Sequence, residues 1–355
     1  MQITTYTPKQ FNKLEEAWRQ LETGKDMTVF QKYDWFKNIN ELYFRERIKK
    51  LAREWIYIKV SDDNDNPLMI APIEIVKVGA QYKSLGLARG AYFIGRQGFT
   101  DYINFIYDEF NKEAAKSVFD YLKTRYHIKR VCLEQLLDDT ELHRFIVEQY
   151  HYQEVSCYCA ALVLPETFDE YKKRLSKSTR QNIRTAINRQ KRDSLVLTHE
   201  IVYDVDESIL DTLMEIRDQR LGDKKKMAYS GASWKGKLYN RLRDGLRYVV
   251  DGKHDVIREC CDSWAFLVKK DTRIVSYFWG LRNDEKGELY VILAGVDKEF
   301  AWYSPSLSHL YLYLQEQYEN PNRTLKVLDF TRGGERYKTD MGGEKRDAWT
   351  ITFRI

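Results

Sequence analysis

The apolar positions of this chain follow two alternating rhythms. Phe11, Leu14, Trp18 and Leu21 recur at three- and four-residue spacing, which gathers them on one face of a helix. Thr7 is placed to cap that helix, Pro8 suits its first position and Gly24 can end it. A second helix, with a break, is predicted over residues 33–51. The spacing then tightens. "EWIYIKV" and "PLMIAPIEIV" read as strands joined by the polar turn "SDDNDN". After a glycine-dotted stretch, "YKSLGLARGAYFIGRQGFTDYINFIY", come a helix over 111–126 and a strand, "KRVCLEQL".

From "YCAALVLPETFDEYKKRL" onward a comparable succession begins again. A strand over 157–164 leads to a short helix opened by Thr167. Helices over 178–192 and 207–220 enclose a strand at 195–201, and "SWKGKLYNRLRDGLRYVV" reads as a further helix. Three strands then form a meander, "SWAFLVKK", "RIVSYFWGLR" and "ELYVILAGV". A helix over 305–318, a strand "TLKVLDF", the polar stretch "TRGGERYKTDMGG" and a last strand "AWTITFRI" close the sequence. The halves show no alignable repeat, yet both run from helices through a meander to a helix and a strand. The expected architecture is α/β (α+β), in two similar units divided near residue 160.

Length supports this division, because 355 residues exceed what one hydrophobic core usually serves. The expected domains are residues 1–160 and 161–355. An aromatic fraction of 14%, with few prolines and no low-complexity run, excludes a disordered chain. A net charge of +5, from 58 basic and 53 acidic residues, specifies no nucleic-acid partner, although a local basic face could hold an anion. Cys132, Cys157, Cys159, Cys260 and Cys261 have neither zinc-site nor disulfide-framework spacing, so reduced structural thiols are expected. The six histidines are scattered without metal-ligand spacing, and no metal is expected. No stretch reaches the ~18 apolar residues of a membrane span, and the start lacks a signal-like apolar region; the expected location is cytoplasmic.

Three segments could carry chemistry. In "VILAGVDKEFAWYSPSLSHLYLYL" a strand runs into a helix that Ser304 can cap and Pro305 can open; free N–H groups there suit a pyrophosphate, although on this segment alone an ordinary strand-to-helix connection is the better reading. In "RLSKSTRQNIRTAINRQKR", Lys177, Arg180, Arg184 and Lys191 form a cationic stripe beside the apolar Ile183, Ala186 and Ile187. Such a stripe is either a solvated helix face or a seat for a phosphate-bearing cofactor, a tRNA end or an acidic glycan. In "LDFTRGGERYKTDMGG", Asp329 and Thr331 stand at a strand end, followed by Gly333-Gly334, Tyr337 and Lys338. A carboxylate there could orient an amine, and a phenol could protonate a leaving group; the alternative is a glycine-rich connection whose Asp caps a turn. The absence of G-x-S-x-G, P-loop and G-x-G-x-x-G motifs weighs against serine hydrolases, P-loop enzymes and dinucleotide enzymes.

In combination, "SKSTRQNIRTAINR", "YVILAGVDKEFAWYSPSLSHLYLYL" and "LDFTRGGERYKTDMGG" resemble the BioF2-like, CelD-like acetyltransferases of the GNAT superfamily, which are related to FemAB-type aminoacyltransferases. "AWRQLE", "DWFKNI", "LMIAPIEI" and "GFTDYINFIY" follow in the expected order, so the resemblance spans nearly the whole chain. It implies two tandem GNAT-like units, each a mixed, mainly antiparallel sheet flanked by helices, with the acyl-donor site in the second. Acyl-CoA or acetyl-CoA is the implied co-substrate, held by Val296, Tyr303, Ser304, Ser306 and Leu307. Arg180, Arg184, Arg332 and Gly333 are implied for substrate binding, and Asp329, Tyr337 and Lys338 for catalysis. The implied reaction is direct acyl transfer to an amine acceptor: an amino sugar, a polysaccharide precursor, an amino acid or a peptide. A tRNA-dependent aminoacyltransferase and a non-catalytic binding module are the alternatives. The sequence departs from the family at Ser306, where glycine is usual, and at Gly334, where an acid is common.

Overall fold

The computed structural model describes residues 1–45, 53–77, 89–95, 100–203, 205–230, 257, 260 and 262–355. The helix expected over 233–250, the end of the one expected over 33–51 and parts of the glycine-dotted stretch lie outside these residues. The chain divides into two compact units. The first contains Met1–Cys157 and Asp347–Ile355, and the described residues from Tyr158 to Arg346 form the second. The last strand, assigned to the second domain on sequence, is thus part of the first unit.

In the first unit, strands β1 (Gln2–Tyr6), β2 (Arg53–Ser61), β3 (Pro67–Val76), β4 (Gly90–Phe93) and β5 (Arg130–Leu137) lie side by side, with β12 (Glu344–Arg354) against β5. All pairings are antiparallel except β4 with β5. Helices α1 (Glu15–Leu21), α2 (Tyr33–Arg45), α3 (Lys112–Tyr126) and α4 (Glu141–Gln149) accompany this sheet. The apolar face foreseen in the sequence is its core: Phe11 stacks on Tyr33 at 4.9 Å, and Trp18 packs on Phe36 at 4.9 Å.

In the second unit the strand order is β6 (Tyr152–Val163), β11 (Val327–Arg332), β10 (Glu288–Val296), β9 (Arg273–Asn283), β8 (Ser263–Lys270) and β7 (Thr198–Tyr203). Its one parallel pairing is β10 with β11. Helices α5 (Phe168–Arg174), α6 (Lys177–Arg192), α7 (Glu207–Ser230), α8 (Pro305–Glu319) and α9 (Arg336–Asp340) complete the unit. The strands bury Trp264, Phe266, Phe278, Leu328 and Phe330 together with Tyr171, Ile183, Leu310 and Leu314 from the helices. Each side chain of this size contributes about 1.5–3 kcal/mol through the apolar surface it removes from water.

Two irregularities shape the middle of this sheet. In β10 the register slips between Val291 and Leu293, so Ile292 is an extra residue opposite β9. Gly280 lies across from this bulge, where a Cβ would stand 1.8 Å from the carbonyl oxygen of Tyr290. Only glycine lets the two backbones come that close. In β11 the register against β6 slips between Asp329 and Arg332, and Thr331 takes a left-handed conformation, φ 53°. The parallel ladder of β10 and β11 therefore stops at Tyr290 and Asp329.

Candidate functional site

Where β10 and β11 part, side chains replace the missing ladder bonds. The Thr331 hydroxyl donates to the carbonyl of Val291 at 2.8 Å. The Asp329 carboxylate accepts from the Thr331 amide at 2.7 Å and from the Arg346 guanidinium at 3.2 Å. Asp329 is only 1% exposed, and these bonds hold the bulge of β11 in place. That placement does not support the expectation that Asp329 orients an amine.

Beyond the parting, a cleft of about 420 Å³ opens between the end of β10 and the start of α8. Ala294, Gly295 and Val296 line it from β10, and Ser304, Ser306 and Leu307 from the start of α8. Asn182, Thr185 and Arg189, one polar stripe along α6, form another wall, and Phe278, Tyr337 and Asp340 are also part of the lining. Helix α6 begins as its sequence dictates: the Ser176 hydroxyl accepts from the Thr179 amide at 3.0 Å.

The start of α8 differs from expectation in detail. Ser304 is the N-cap residue, but in a left-handed conformation (φ 47°, ψ 52°) and without a side-chain capping bond. Its carbonyl instead accepts from the Ser308 amide at 3.2 Å, which begins the helix. Because α8 opens there, the amides of Ser306 and Leu307 lie in its first turn with no intrahelical acceptor, at the positive end of the dipole. The Ser306 hydroxyl, where the family favours glycine, is turned onto Ser276 of β9 at 2.6 Å. Serine at this position therefore ties the helix start to the sheet.

Helix α6 holds the same region from the other side. The Gln190 amide donates to the Tyr303 carbonyl at 3.2 Å and to the Ser308 hydroxyl at 3.0 Å. Arg189 donates to the Trp302 carbonyl at 3.0 Å, and its guanidinium lies 3.6 Å from the centroid of the Trp302 ring.

The remaining residues singled out on sequence divide as follows. Val296, Ser304, Ser306, Leu307 and Tyr337 meet in the cleft. The Tyr337 ring stacks on Phe278 at 6.3 Å and meets the edge of Phe330 at 6.1 Å. Tyr303 lies outside the lining and donates its hydroxyl to Asp193 at 3.1 Å. The Arg180 guanidinium donates to the Lys172 and Leu175 carbonyls, tying down the end of α5, and does not line the cleft. Arg184 is exposed and does not line the cleft. The Lys338 ammonium is buried; it donates to the Arg332 carbonyl at 2.5 Å and the Thr331 carbonyl at 3.3 Å, and pairs with Glu335 at 3.2 Å. These contacts staple the loop after β11. Gly333 and Lys338 line a second pocket of about 320 Å³ with Tyr158, Gly334 and Lys345, while Arg332 ends β11, half-buried. Arg189, Asn182 and Thr185 were missed; their three- and four-residue spacing was present in the sequence but overshadowed by the denser cationic stripe.

Two histidines bear on α8. Nδ1 of His199 lies 3.1 Å from Nδ1 of His309, and Nε2 of His199 lies 3.0 Å from Glu316. With His199 donating to Glu316, its Nδ1 accepts from His309, which leaves the buried Nε2 of His309 as a bare lone pair. Burial, and then the neighbouring His199, push His309 down to about 4. A histidine so depressed takes up its proton only on unfolding between about pH 6.5 and pH 4, so stability is full above that window and declines as pH falls through it. We expect His309→Gln to flatten this decline, on the order of 3 kcal/mol by pH 4, in urea titrations followed by circular dichroism. An unchanged slope would remove His309 as its source.

Comparison with known proteins agrees with this geometry. Residues 177–339 match the acetyltransferase (GNAT) domain family. This stretch of the second unit is similar to a GNAT acetyltransferase domain. No curated protein matches the sequence significantly. Among solved structures, a conserved protein of unknown function from Bacteroides thetaiotaomicron VPI-5482 is similar, with TM-score 0.53 at 10% identity over 99% of both chains. L-PGS from Bacillus licheniformis gives TM-score 0.52 at 12% identity, over 97% of this chain and 91% of that one. FemX gives 0.51 at 13% identity, over 99% and 96%. At these identities the likeness establishes the fold: a GNAT fold with a mixed sheet flanked by helices. Among the described residues, no His, Cys, Asp and Glu cluster could hold a metal, and no helix is long and apolar enough to cross a membrane.

Proposed function

We propose that this chain is an acyl-CoA-dependent N-acyltransferase. The observation that carries the proposal is the cleft at the parting of β10 and β11, bounded by a helix start whose first-turn amides have no intrahelical acceptor and by the phenol of Tyr337. The Ser306 and Leu307 amides suit the donor's pyrophosphate. The edge of β10 at Ala294–Val296, no longer paired to β11, can hydrogen-bond the amide-bearing arm of the donor. The acceptor's neutral amine attacks the thioester carbonyl, forming the C–N bond as the C–S bond breaks. The amine gives up one proton to water or buffer, and the Tyr337 hydroxyl supplies one to the departing thiolate. Holding both reactants supplies much of the rate, so no covalent enzyme intermediate is needed. The pocket beside Gly333, on the other side of short helix α9, suits the acceptor's approach, an amine on a sugar, amino acid or peptide.

A cheap experiment tests the donor. CoA or acetyl-CoA at 100 times its dissociation constant should stabilise the folded protein by about 2.7 kcal/mol in a thermal-shift assay, because only the folded state binds it. No shift with any CoA ester, together with a salt-sensitive complex with aminoacyl-tRNA, would transfer the proposal to a tRNA donor.

A further inference from the structure

We infer that Arg189, held in place by Trp302, is the side chain with which this protein recognises the phosphate-bearing part of its donor. The inference rests on the donor reading above and adds a residue and a selectivity to it. Among the described residues, Arg189 is the one cation lining the cleft. The cations that the sequence put forward are engaged or placed elsewhere: Arg180 caps α5, Lys338 staples the loop after β11, and Arg184 does not reach the lining. The cleft's one carboxylate, Asp340, is paired with Arg336 at 3.5 Å. Near α8 the cleft thus combines a fixed cation with the positive end of a helix, an arrangement that favours an anion.

Arg189 is also organised before any ligand arrives. Its bond to the Trp302 carbonyl and its stacking on the Trp302 ring engage the same residue from two directions. A guanidinium has five N–H donors, and the bond to Trp302 uses one, leaving a fork that matches phosphate geometry. Trp302 itself belongs to the short 3-10 turn Lys298–Tyr303, which leads directly to Ser304 and the open amides of α8. Arg189 is thus fastened to the turn that leads into α8, and it lines the same cleft as Ser306 and Leu307. The indole is 59% exposed, a large apolar surface to leave in water, and its role is to hold the guanidinium plane. Lysine could supply the charge but not the fork or the stacking.

The experiment compares acetyl-CoA with acetyl-pantetheine, which carries the same thioester without phosphate, by calorimetry on the wild type and on Arg189→Ala, Arg189→Lys and Trp302→Ala. Arg189→Ala should weaken acetyl-CoA about 10- to 100-fold, the loss of a charge-assisted bond, and reduce the salt dependence of binding. It should leave acetyl-pantetheine within about twofold of the wild type. Arg189→Lys should fall between, and Trp302→Ala should weaken acetyl-CoA about three- to tenfold by loosening the guanidinium. Unchanged acetyl-CoA affinity in Arg189→Ala, or equal weakening of both ligands, would overturn the inference while leaving the donor reading intact. A wild type that binds neither ligand would overturn both. Arg189→Lys, which preserves charge and helix propensity, provides the folded comparison if the alanine variant is unstable.

Discussion

Replacing Gly280 with alanine should destabilise the second unit by about 3 kcal/mol or more and abolish donor binding at the same time. The new methyl group would stand 1.8 Å from the carbonyl oxygen of Tyr290 and 3.0 Å from the amide of Ile292, and both contacts are backbone. Rotamer changes cannot relieve such a clash, so β9 and β10 must move apart at the bulge. That bulge is where β10 turns from β11, so the cleft moves with it. The measurement is a urea midpoint together with acetyl-CoA binding at a temperature where the variant remains folded. A variant with a near-native midpoint and native affinity would show that the close approach does not support the site.

Tyr337→Phe should behave in the opposite way. The ring packs on Phe278 and Phe330, contacts that phenylalanine reproduces, so fold and acetyl-CoA affinity should stay within about twofold of the wild type. Turnover should fall about 100-fold, roughly 2.7 kcal/mol in the barrier, as expected when a general acid is removed. The loss should appear in kcat rather than KM, because the proton is needed only as the thiolate leaves. Near-normal turnover by a folded Tyr337→Phe would eliminate the phenol from the chemistry.

Periodicity was a good guide to the elements. The meander of β8, β9 and β10 and the helices α6 and α8 lie where alternating and three-to-four spacing put them. The edge strand β1 was missed because "QITTY" has too few apolar residues to show alternation, and its burial is correspondingly partial. Helix α4 was missed, although Thr140 caps it, accepting from the His143 amide.

The cleft was legible only where its lining depends on local geometry. Ser304, Ser306 and Leu307 sit at a helix start that Pro305 announces, and Tyr337 follows a strand end. The roles of Asp329, Arg180 and Lys338 were not legible, because a polar side chain looks alike in sequence whether it meets a substrate or a backbone carbonyl. Their partners are set by a bulge, a helix end and a loop that form only in the folded unit. Arg189 was hidden for a related reason: its partner, Trp302, is 113 positions away.

The last strand carries a consequence for how the protein is made. Residues Ala348–Arg354 of β12 pair with Arg130–Leu137 of β5 inside the first unit, although the whole second unit is translated between them. During synthesis the first unit must emerge with the edge of β5 uncovered, its Leu133 and Leu136 waiting for a partner not yet translated. The N-terminal half is therefore not an autonomous product of the ribosome. It is finished last, and the interval between β5 and β12 is when the nascent chain is most exposed to pairing with a neighbour.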